Sequence, residues 1–142
     1  MEQTAKHILM IDDDLTSRQL FGGLLAKVGY EVLYASSGEE GRETARRLHP
    51  DLILMDINMP GGDDGWKTAD LIRNEKDSPA ADIPIAFLSS TDLPLEAQTW
   101  MKDFGVTDYI QKGASNEEFV LQVKKMFDDI EKRNLATETN KK

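Results

Sequence analysis

Five short apolar runs alternate with five stretches of helical periodicity along this chain of 142 residues. The runs are too short for helices and are rich in Ile, Leu, Val and Tyr, so they predict β-strands. They cover residues 7–11, 31–34, 52–55, 83–88 and 109–110 with its flanks. Regular alternation of strands and helices predicts a parallel sheet with helices on both faces.

The composition of the runs predicts their order in that sheet. The first, third and fourth runs are continuously apolar, as central strands buried on both faces must be. The second and fifth mix polar residues among the apolar ones, which is typical of edge strands. We therefore predict a single α/β domain of flavodoxin-like (βα)5 architecture, a doubly wound parallel sheet with strand order 2-1-3-4-5. It spans residues 6–131, and a polar, flexible C-terminal tail follows over residues 132–142.

The helical stretches carry start and stop signals. Ser37 and Ser115, each followed three residues later by glutamate, predict the N-termini of the second and fifth helices. Gly29 predicts the end of the first helix. From the first two helices, the apolar residues expected to face the core are Leu20, Phe21, Leu24, Leu25, Val28, Ala45 and Leu48.

Charge and composition exclude several classes of function. The chain carries 17 Lys and Arg against 26 Asp and Glu, and this net charge of −9 repels nucleic-acid phosphates and anionic membranes. There is no Cys, which excludes disulfides and thiolate metal sites. No apolar stretch approaches the ~20 residues of a membrane span, and the N-terminus lacks a signal peptide. We expect a cytoplasmic protein that binds neither nucleic acid nor membrane directly.

Polar side chains follow four of the five predicted strands at the point where each strand ends. Asp12, Asp13 and Asp14 follow the first strand, and Asp56 follows the third. The fourth strand leads into Ser89 and Ser90, and the fifth into Lys112. Ligands of open α/β sheets bind outside the carboxyl ends of the strands, so these groups are expected to share one site.

The donor types narrow the chemistry of that site. Converging carboxylates repel one another, so they must take up protons or bind a cation. An all-oxygen set without Cys or a usable His favours a hard ion such as Mg²⁺. A central aspartate could itself act as the nucleophile and form an acyl phosphate. An Asp run after a strand is often only a helix cap, and we assign Asp14 to that role.

With these residues in place, the chain resembles the receiver domains of bacterial-type two-component response regulators, of the stand-alone, single-domain type. Asp12-Asp13 resembles the acidic pair after strand one, and Asp56, followed by Met59-Pro60, resembles the phosphoacceptor. The remaining similarities are Ser89 at the mobile Thr/Ser position, Lys112 at the lysine after strand five, and Tyr109 at the switch aromatic.

The resemblance implies a mechanism. A sensor histidine kinase or a histidine phosphotransfer protein donates a phosphoryl group from phosphohistidine to Asp56. Mg²⁺ is held by Asp13, Asp56 and the backbone carbonyl of Asn58, with Asp12 acting mainly through water. Lys112 pairs with the phosphate while Ser89 swings towards it. The movement admits Tyr109 and changes the surface of helix four, strand five and helix five, which a downstream output protein or a second phosphorylated copy of the chain recognises.

Three positions depart from the family pattern. Gly113 replaces the proline that usually follows the lysine, which predicts a trans bond after Lys112. The loop of residues 61–65 is one residue longer than is common. Ser90 replaces a small Ala or Gly and adds a hydroxyl that is expected to contact the phosphate.

Two other functions fit parts of the pattern. The segment Asp12-Asp13-Asp14-Leu15-Thr16 also satisfies the nucleophile motif of haloacid-dehalogenase-like phosphatases, in which Asp12 would turn over substrate. A receiver-like interaction module that no longer needs phosphate is the second alternative. The acidic pair, Asp56 and Lys112 argue against it, whereas Gly113 leaves it open. Whether the chain is an enzyme stays open, since the resemblance implies self-phosphorylation and autodephosphorylation rather than turnover.

Overall fold

The computed structural model describes residues 5–57, 59, 65–90, 93, 95–113 and 115–140. Strands and helices alternate along it, as the apolar runs predict. The strands are β1 His7–Ile11, β2 Glu31–Ala35, β3 Leu52–Asp56, β4 Ile85–Ser89 and β5 Val106–Gln111. The helices are α1 Leu15–Lys27, α2 Gly38–Leu48, α3 Gly65–Asn74, α4 Ala97–Asp103 and α5 Asn116–Asn140, with a short 3₁₀ helix over Pro79–Asp82 before β4.

The strands form one parallel sheet in the order 2-1-3-4-5, which confirms the flavodoxin-like prediction. Residues of β3 and β4 are buried throughout, whereas β2 at the edge has two exposed and two half-buried residues before the buried Ala35. The register pairs Ile11 with Met55, so the residues that follow β1 and end β3 lie side by side. This pairing brings the acidic residues of the two strands together.

The sheet separates two apolar cores. On one face, α1 and α5 contribute Phe21, Leu25, Phe119, Val123 and Met126 against the sheet. On the other face, α2, α3 and α4 contribute Ala45, Ala69, Ile72 and Met101. Burial of apolar surface on both faces is what holds a parallel sheet of this kind together.

The helix N-termini are capped as the sequence predicts. The Asp14 side chain accepts a hydrogen bond of 3.0 Å from the N–H of Thr16, so Asp14 is the N-cap of α1. Ser37 accepts from the N–H of Glu40 at 3.1 Å, and Ser115 accepts from the N–H of Glu118 at 3.1 Å. These bonds satisfy N–H groups that the first turn of a helix leaves without an intrahelical partner.

The apolar stripes of the first two helices are narrower than predicted. Leu20, Val28 and Leu48 are exposed by 48%, 43% and 47%, so their assignment to the core is wrong. Leu20 lies on the flank of α1, whose inner face is formed by Phe21 and Leu25, and Val28 is the C-cap residue that follows this helix. The periodicity correctly identifies the direction of the core, but the neighbouring elements cover a smaller arc of the helix.

The last helix, α5, continues to Asn140, through residues predicted to form a polar tail. No Gly or Pro interrupts the helical pattern after residue 131, and residues 132–136 are exposed. The flexibility of this segment stays a prediction. Of the described helices, none is long and apolar enough to cross a membrane.

Candidate functional site

The polar residues predicted from the strand ends meet at one edge of the sheet. Asp12 directly follows β1, Asp56 is the last residue of β3, and Lys112 directly follows β5. Because all five strands are parallel, their carboxyl ends share this edge. Asp12 is fully buried and Asp56 is 6% exposed. Buried carboxylates of this kind need a charge partner.

The ammonium of Lys112 lies between the two buried carboxylates. Its Nζ is 3.0 Å from Oδ2 of Asp12 and 3.2 Å from Oδ2 of Asp56. Burial alone would lower the pKa of Lys112, but hydrogen bonding and charge from Asp12 and then Asp56 outweigh it, so the net pKa is raised. The lysine therefore stays charged across the neutral range and offsets part of the repulsion between the two carboxylates.

Asp13 completes an acidic cluster with this pair. Carboxylate oxygens of Asp12, Asp13 and Asp56 all lie within 4.8 Å of one another, and Asp13 is exposed whereas the other two are buried. Oxygen donors at this spacing suit a hard divalent cation, and Mg²⁺ commonly keeps several water ligands on the open side of such a site. The residues present therefore fit Mg²⁺.

The loop between β1 and α1 is held by contacts to Asp12. Its N–H donates to the carbonyl of Ala35 at 3.0 Å, and its Oδ1 accepts from the N–H of Asp14 at 2.9 Å. Arg18 donates from Nη1 to the backbone carbonyl of Asp12 at 2.6 Å. With the Lys112 contact, all four polar atoms of Asp12 are thus bonded.

Ser89 and Tyr109 lie on β4 and on the edge strand β5, respectively. Ser89 is 1% exposed at the end of β4, and its carbonyl accepts a 2.7 Å hydrogen bond from the N–H of Lys112. Tyr109 is half-buried on β5, in register with Phe87 of β4, and packs against the core on the α2–α4 face. Ser90 follows β4 at the same edge and is exposed. Ser89 and Ser90 thus lie at the carboxyl end of β4, the strand next to the one that ends in Asp56, and Tyr109 lies on β5, which leads to Lys112.

Two further predictions concern the Asn58 carbonyl and the peptide bond after Lys112. The backbone carbonyl of Asn58, expected to bind the metal, lies outside the described residues, as do residues 60–64 of the loop. The bond between Lys112 and Gly113 is trans, as the glycine predicts, because the described backbone contains no cis peptide. A side chain added at Gly113 would meet no atom within 4 Å.

Sequence reasoning missed two residues of the site, Ser17 and Arg18. The Ser17 hydroxyl lies 3.5 Å from Lys112 Nζ and donates to Asp14 Oδ2 at 3.2 Å. Both residues belong to the first turn of α1, which faces the acidic cluster. The sequence does hold a signal for Arg18, because a cation in the first turn of a helix is disfavoured by the helix dipole and needs a compensating contact.

Comparison with known sequences places the chain in a family. The response regulator receiver domain pattern matches residues 8–124, the greater part of the chain. The chain therefore belongs to the family of response regulator receiver domains, the signalling domains of two-component systems, as the motifs predict.

Individual relatives agree with this placement. Protein PilH of Pseudomonas aeruginosa is 34% identical over 110 residues, which is 78% of this chain and 88% of PilH. The probable transcriptional regulator ycf27 of Cyanophora paradoxa is 31% identical over 137 residues, and the match covers 96% of this chain but only 54% of ycf27. The chain thus spans about half the length of the ycf27 relatives it matches.

Solved structures show the same fold. The chemotaxis response regulator CheY4 of Vibrio cholerae superposes with a TM-score of 0.76 at 27% identity, covering 86% of this chain and 98% of CheY4. This chain therefore shares the CheY-like flavodoxin fold, with its strand order 2-1-3-4-5.

Proposed function

We propose that this chain accepts a phosphoryl group on Asp56 and switches its surface in response. The observation that carries the proposal is the position of the Lys112 ammonium, 3.2 Å from Asp56 Oδ2 and 3.0 Å from Asp12 Oδ2. Asp56 lies at this edge of the sheet beside a cation that can pair with phosphate. It also belongs to the carboxylate cluster that fits Mg²⁺.

The reaction is a transfer from nitrogen to oxygen. A carboxylate oxygen of Asp56 attacks the phosphorus of a phosphohistidine, the new O–P bond forms, and the P–N bond breaks with its electron pair left on the imidazole. Phosphoryl transfer needs positioning and charge neutralisation more than covalent help from other groups. Mg²⁺, held by Asp12, Asp13, Asp56 and the Asn58 carbonyl, would supply neutralisation of the phosphoryl oxygens. Lys112 would supply a fixed positive charge beside them.

The switch would pass through β4 and β5. The carbonyl of Ser89 already bonds to the N–H of Lys112 at 2.7 Å, so the two strand ends move together. A phosphoryl group that draws the Ser89 hydroxyl towards it, with Ser90 as a further contact, would free space for Tyr109 to change rotamer. The surface of α4, β5 and α5 would change with it, as a population shift driven by contacts that only the phosphorylated form makes.

The expected partners follow from this chemistry. A sensor histidine kinase or a histidine phosphotransfer protein supplies the phosphoryl group, and a separate output protein or a phosphorylation-dependent second copy of the chain recognises the switched surface. The net charge of −9 disfavours direct contact with nucleic acid or anionic membrane. We propose the cytoplasm as the place of action, since the chain has no Cys and its partner would be a cytoplasmic phosphohistidine.

Phosphodonor labelling tests the proposal. The chain is incubated with Mg²⁺ and a small-molecule phosphodonor such as acetyl phosphate, and its intact mass is measured. We expect one added phosphoryl group on the wild type, none on Asp56→Asn, and slower labelling of Asp12→Asn. Asp14→Asn is the matched control, because asparagine also caps helices, the Asp14 side chain accepts from Thr16 and Ser17 at the start of α1, and the backbone bond from Asp14 to Asp12 is kept, so its labelling should equal that of the wild type.

Other outcomes identify the alternatives. A wild type that takes up no label would contradict the proposal and favour the phosphate-independent interaction module. Label that persists in Asp56→Asn but is lost in Asp12→Asn would favour the phosphatase, as would continuous release of inorganic phosphate through Asp12.

A further inference from the structure

Arg18 lies in the first turn of α1 with its half-buried side chain directed back towards the end of β1. Its Nη1 donates a 2.6 Å hydrogen bond to the backbone carbonyl of Asp12. A cation at the N-terminus of a helix faces the partial positive charge of the free N–H groups, so the helix itself disfavours this placement. A compensating contact is needed, and the Asp12 carbonyl supplies it.

The Asp12 carbonyl belongs to the peptide that joins Asp12 to Asp13. Because a peptide unit is planar, fixing the carbonyl oxygen also fixes the N–H of Asp13 and the direction in which the chain enters that residue. The other polar atoms of Asp12 are held from elsewhere, by Ala35, Asp14 and Lys112. The Arg18 contact is therefore a direct hold on this peptide, whose orientation helps to determine where the exposed Asp13 side chain starts from the backbone.

We propose that Arg18 is a positioning residue of the cation site. It fixes the Asp12–Asp13 peptide so that the Asp13 carboxylate converges with those of Asp12 and Asp56. The inference rests on the proposed function, since it takes this cluster to be the Mg²⁺ site. Charge alone would act in the opposite direction, because a guanidinium beside the cluster repels a divalent cation. The sign of the change in Mg²⁺ affinity therefore separates positioning from simple electrostatics.

Calorimetric titration of the full chain with Mg²⁺ tests the proposal. The comparison includes wild type, Arg18→Met, Arg18→Lys and the control Arg47→Met, which removes one exposed positive charge near the C-terminus of α2. We expect Arg18→Met to weaken Mg²⁺ binding about tenfold, as is typical when a group that orients a metal ligand is removed. Arg18→Lys, which keeps a charge and one donor, should fall between it and the wild type. Arg47→Met should stay within about twofold of the wild type.

Each outcome decides the proposal. An Arg18→Met chain that binds Mg²⁺ as tightly as the wild type, or more tightly, would overturn the inference while leaving the proposed function intact. A wild type that binds no Mg²⁺ would overturn the proposed metal site, and the inference with it. If Arg18→Met no longer unfolds cooperatively, Arg18→Gln takes its place with the same expected weakening, and amide exchange at Asp13 in the metal-free protein should be faster than in the wild type.

Discussion

Lys112 sets the charge balance of the acidic cluster at the scale of a single residue. Its side chain is 17% exposed and contacts carboxylates that are themselves 0% and 8% exposed. In such surroundings an ion pair contributes little net stability over an apolar pair, but removal of one partner leaves the other charges buried and uncompensated. The charge of Lys112 is thus needed to compensate the two buried carboxylates, apart from any role in phosphoryl transfer.

Lys112→Met should destabilise the metal-free protein by about 2–3 kcal/mol, because it leaves Asp12 and Asp56 facing each other without a cation. Urea unfolding in buffer with a chelator measures the difference. Lys124→Met, which removes an exposed lysine of α5, should change the free energy of unfolding by less than about 0.5 kcal/mol. Equal effects of the two variants would show that Lys112 does not hold the carboxylates together.

The stability of the chain with Lys112 and that of Lys112→Met should also differ in their dependence on pH. The folded-state pKa of Lys112 is raised above its unfolded value, so its contribution to stability is complete below about pH 10 and is lost as pH rises through the folded pKa. Burial, and then the charge of Asp128, also raise the pKa of Tyr30, which titrates in the same window with the same sign. In a Tyr30→Phe background, the stability of the chain with Lys112 should therefore fall above pH 10, and that of Lys112→Met should stay flatter.

At the scale of elements, α3 begins in direct contact with the strand that carries Asp56. The N–H of Gly65 donates to the carbonyl of Ile57 at 2.9 Å. A Cβ at Gly65 would lie 2.8 Å from the carbonyl oxygen of Asp56 and 2.9 Å from Cα of Ile57. Both atoms belong to the backbone and cannot turn aside as a side chain could. Glycine at this position therefore allows the helix to start beside Asp56.

Gly65→Ala should accordingly cost about 1–3 kcal/mol, the range for forcing an extra carbon into a packed interior. Gly23→Ala is the matched control, because Gly23 lies inside α1 and a Cβ there meets nothing within 4 Å. That variant should raise the free energy of unfolding by about 0.5–1 kcal/mol, since alanine favours the helix. Thermal or urea unfolding of both variants checks the opposite signs, and a Gly65→Ala chain as stable as the wild type would contradict the packing described.

The elements of this fold were predictable because their signals are local. Apolar runs identified the strands, capping residues such as Asp14 and Ser37 located helix starts, and the polarity of the runs separated edge from central strands. The main residues of the site followed from the same source, since Asp12, Asp56 and Lys112 each stand at a strand end. Parallel strands bring such positions together without any further information.

What could not be predicted depends on neighbours that are distant in sequence. Leu20 belongs to an apolar stripe, yet it is 48% exposed because the packed elements leave that flank of α1 uncovered. The bond from Arg18 to the Asp12 carbonyl runs from a side chain to the backbone across the start of a helix, and no residue pattern records it. Arg73 donates in the same way to the carbonyls of Ala81 and Gly105, and so connects α3 to the 3₁₀ helix and to the turn between α4 and β5 through contacts that no sequence pattern indicates.

At the scale of the whole molecule, the two apolar cores stabilise the fold, whereas the carboxylates at the carboxyl edge of the sheet repel one another. Both apolar clusters lie along the sheet, whereas Asp12, Asp13 and Asp56 gather at its carboxyl edge with oxygens within 4.8 Å of one another. In the unfolded chain Asp56 separates from the other two. Folding without a bound metal ion therefore brings the negative charges of these carboxylates together. A bound metal ion should stabilise the folded state by mass action.

Asp13→Asn should change both the stability of the metal-free chain and its response to Mg²⁺. It removes one charge from the cluster without disturbing the contacts of Asp12 or Lys112, and two unit charges about 5 Å apart repel by about 1 kcal/mol in water-like surroundings. In metal-free buffer the variant should therefore be more stable than the wild type by about 0.5–1 kcal/mol. Added Mg²⁺ should raise the unfolding midpoint of the wild type and have little effect on the variant, because the weakened site no longer favours the folded state.

Asp129→Asn is the matched control, since it removes one exposed negative charge on α5 and makes the net charge less negative by the same amount. Its midpoint should rise with Mg²⁺ as the wild type's does, because the acidic cluster is intact. Urea unfolding at several Mg²⁺ concentrations, at constant ionic strength, measures all three proteins. A metal-free Asp13→Asn chain less stable than the wild type would mean that Asp13 makes a structural contact that outweighs the repulsion. Equal responses of all three to Mg²⁺ would place the cation elsewhere on the molecule.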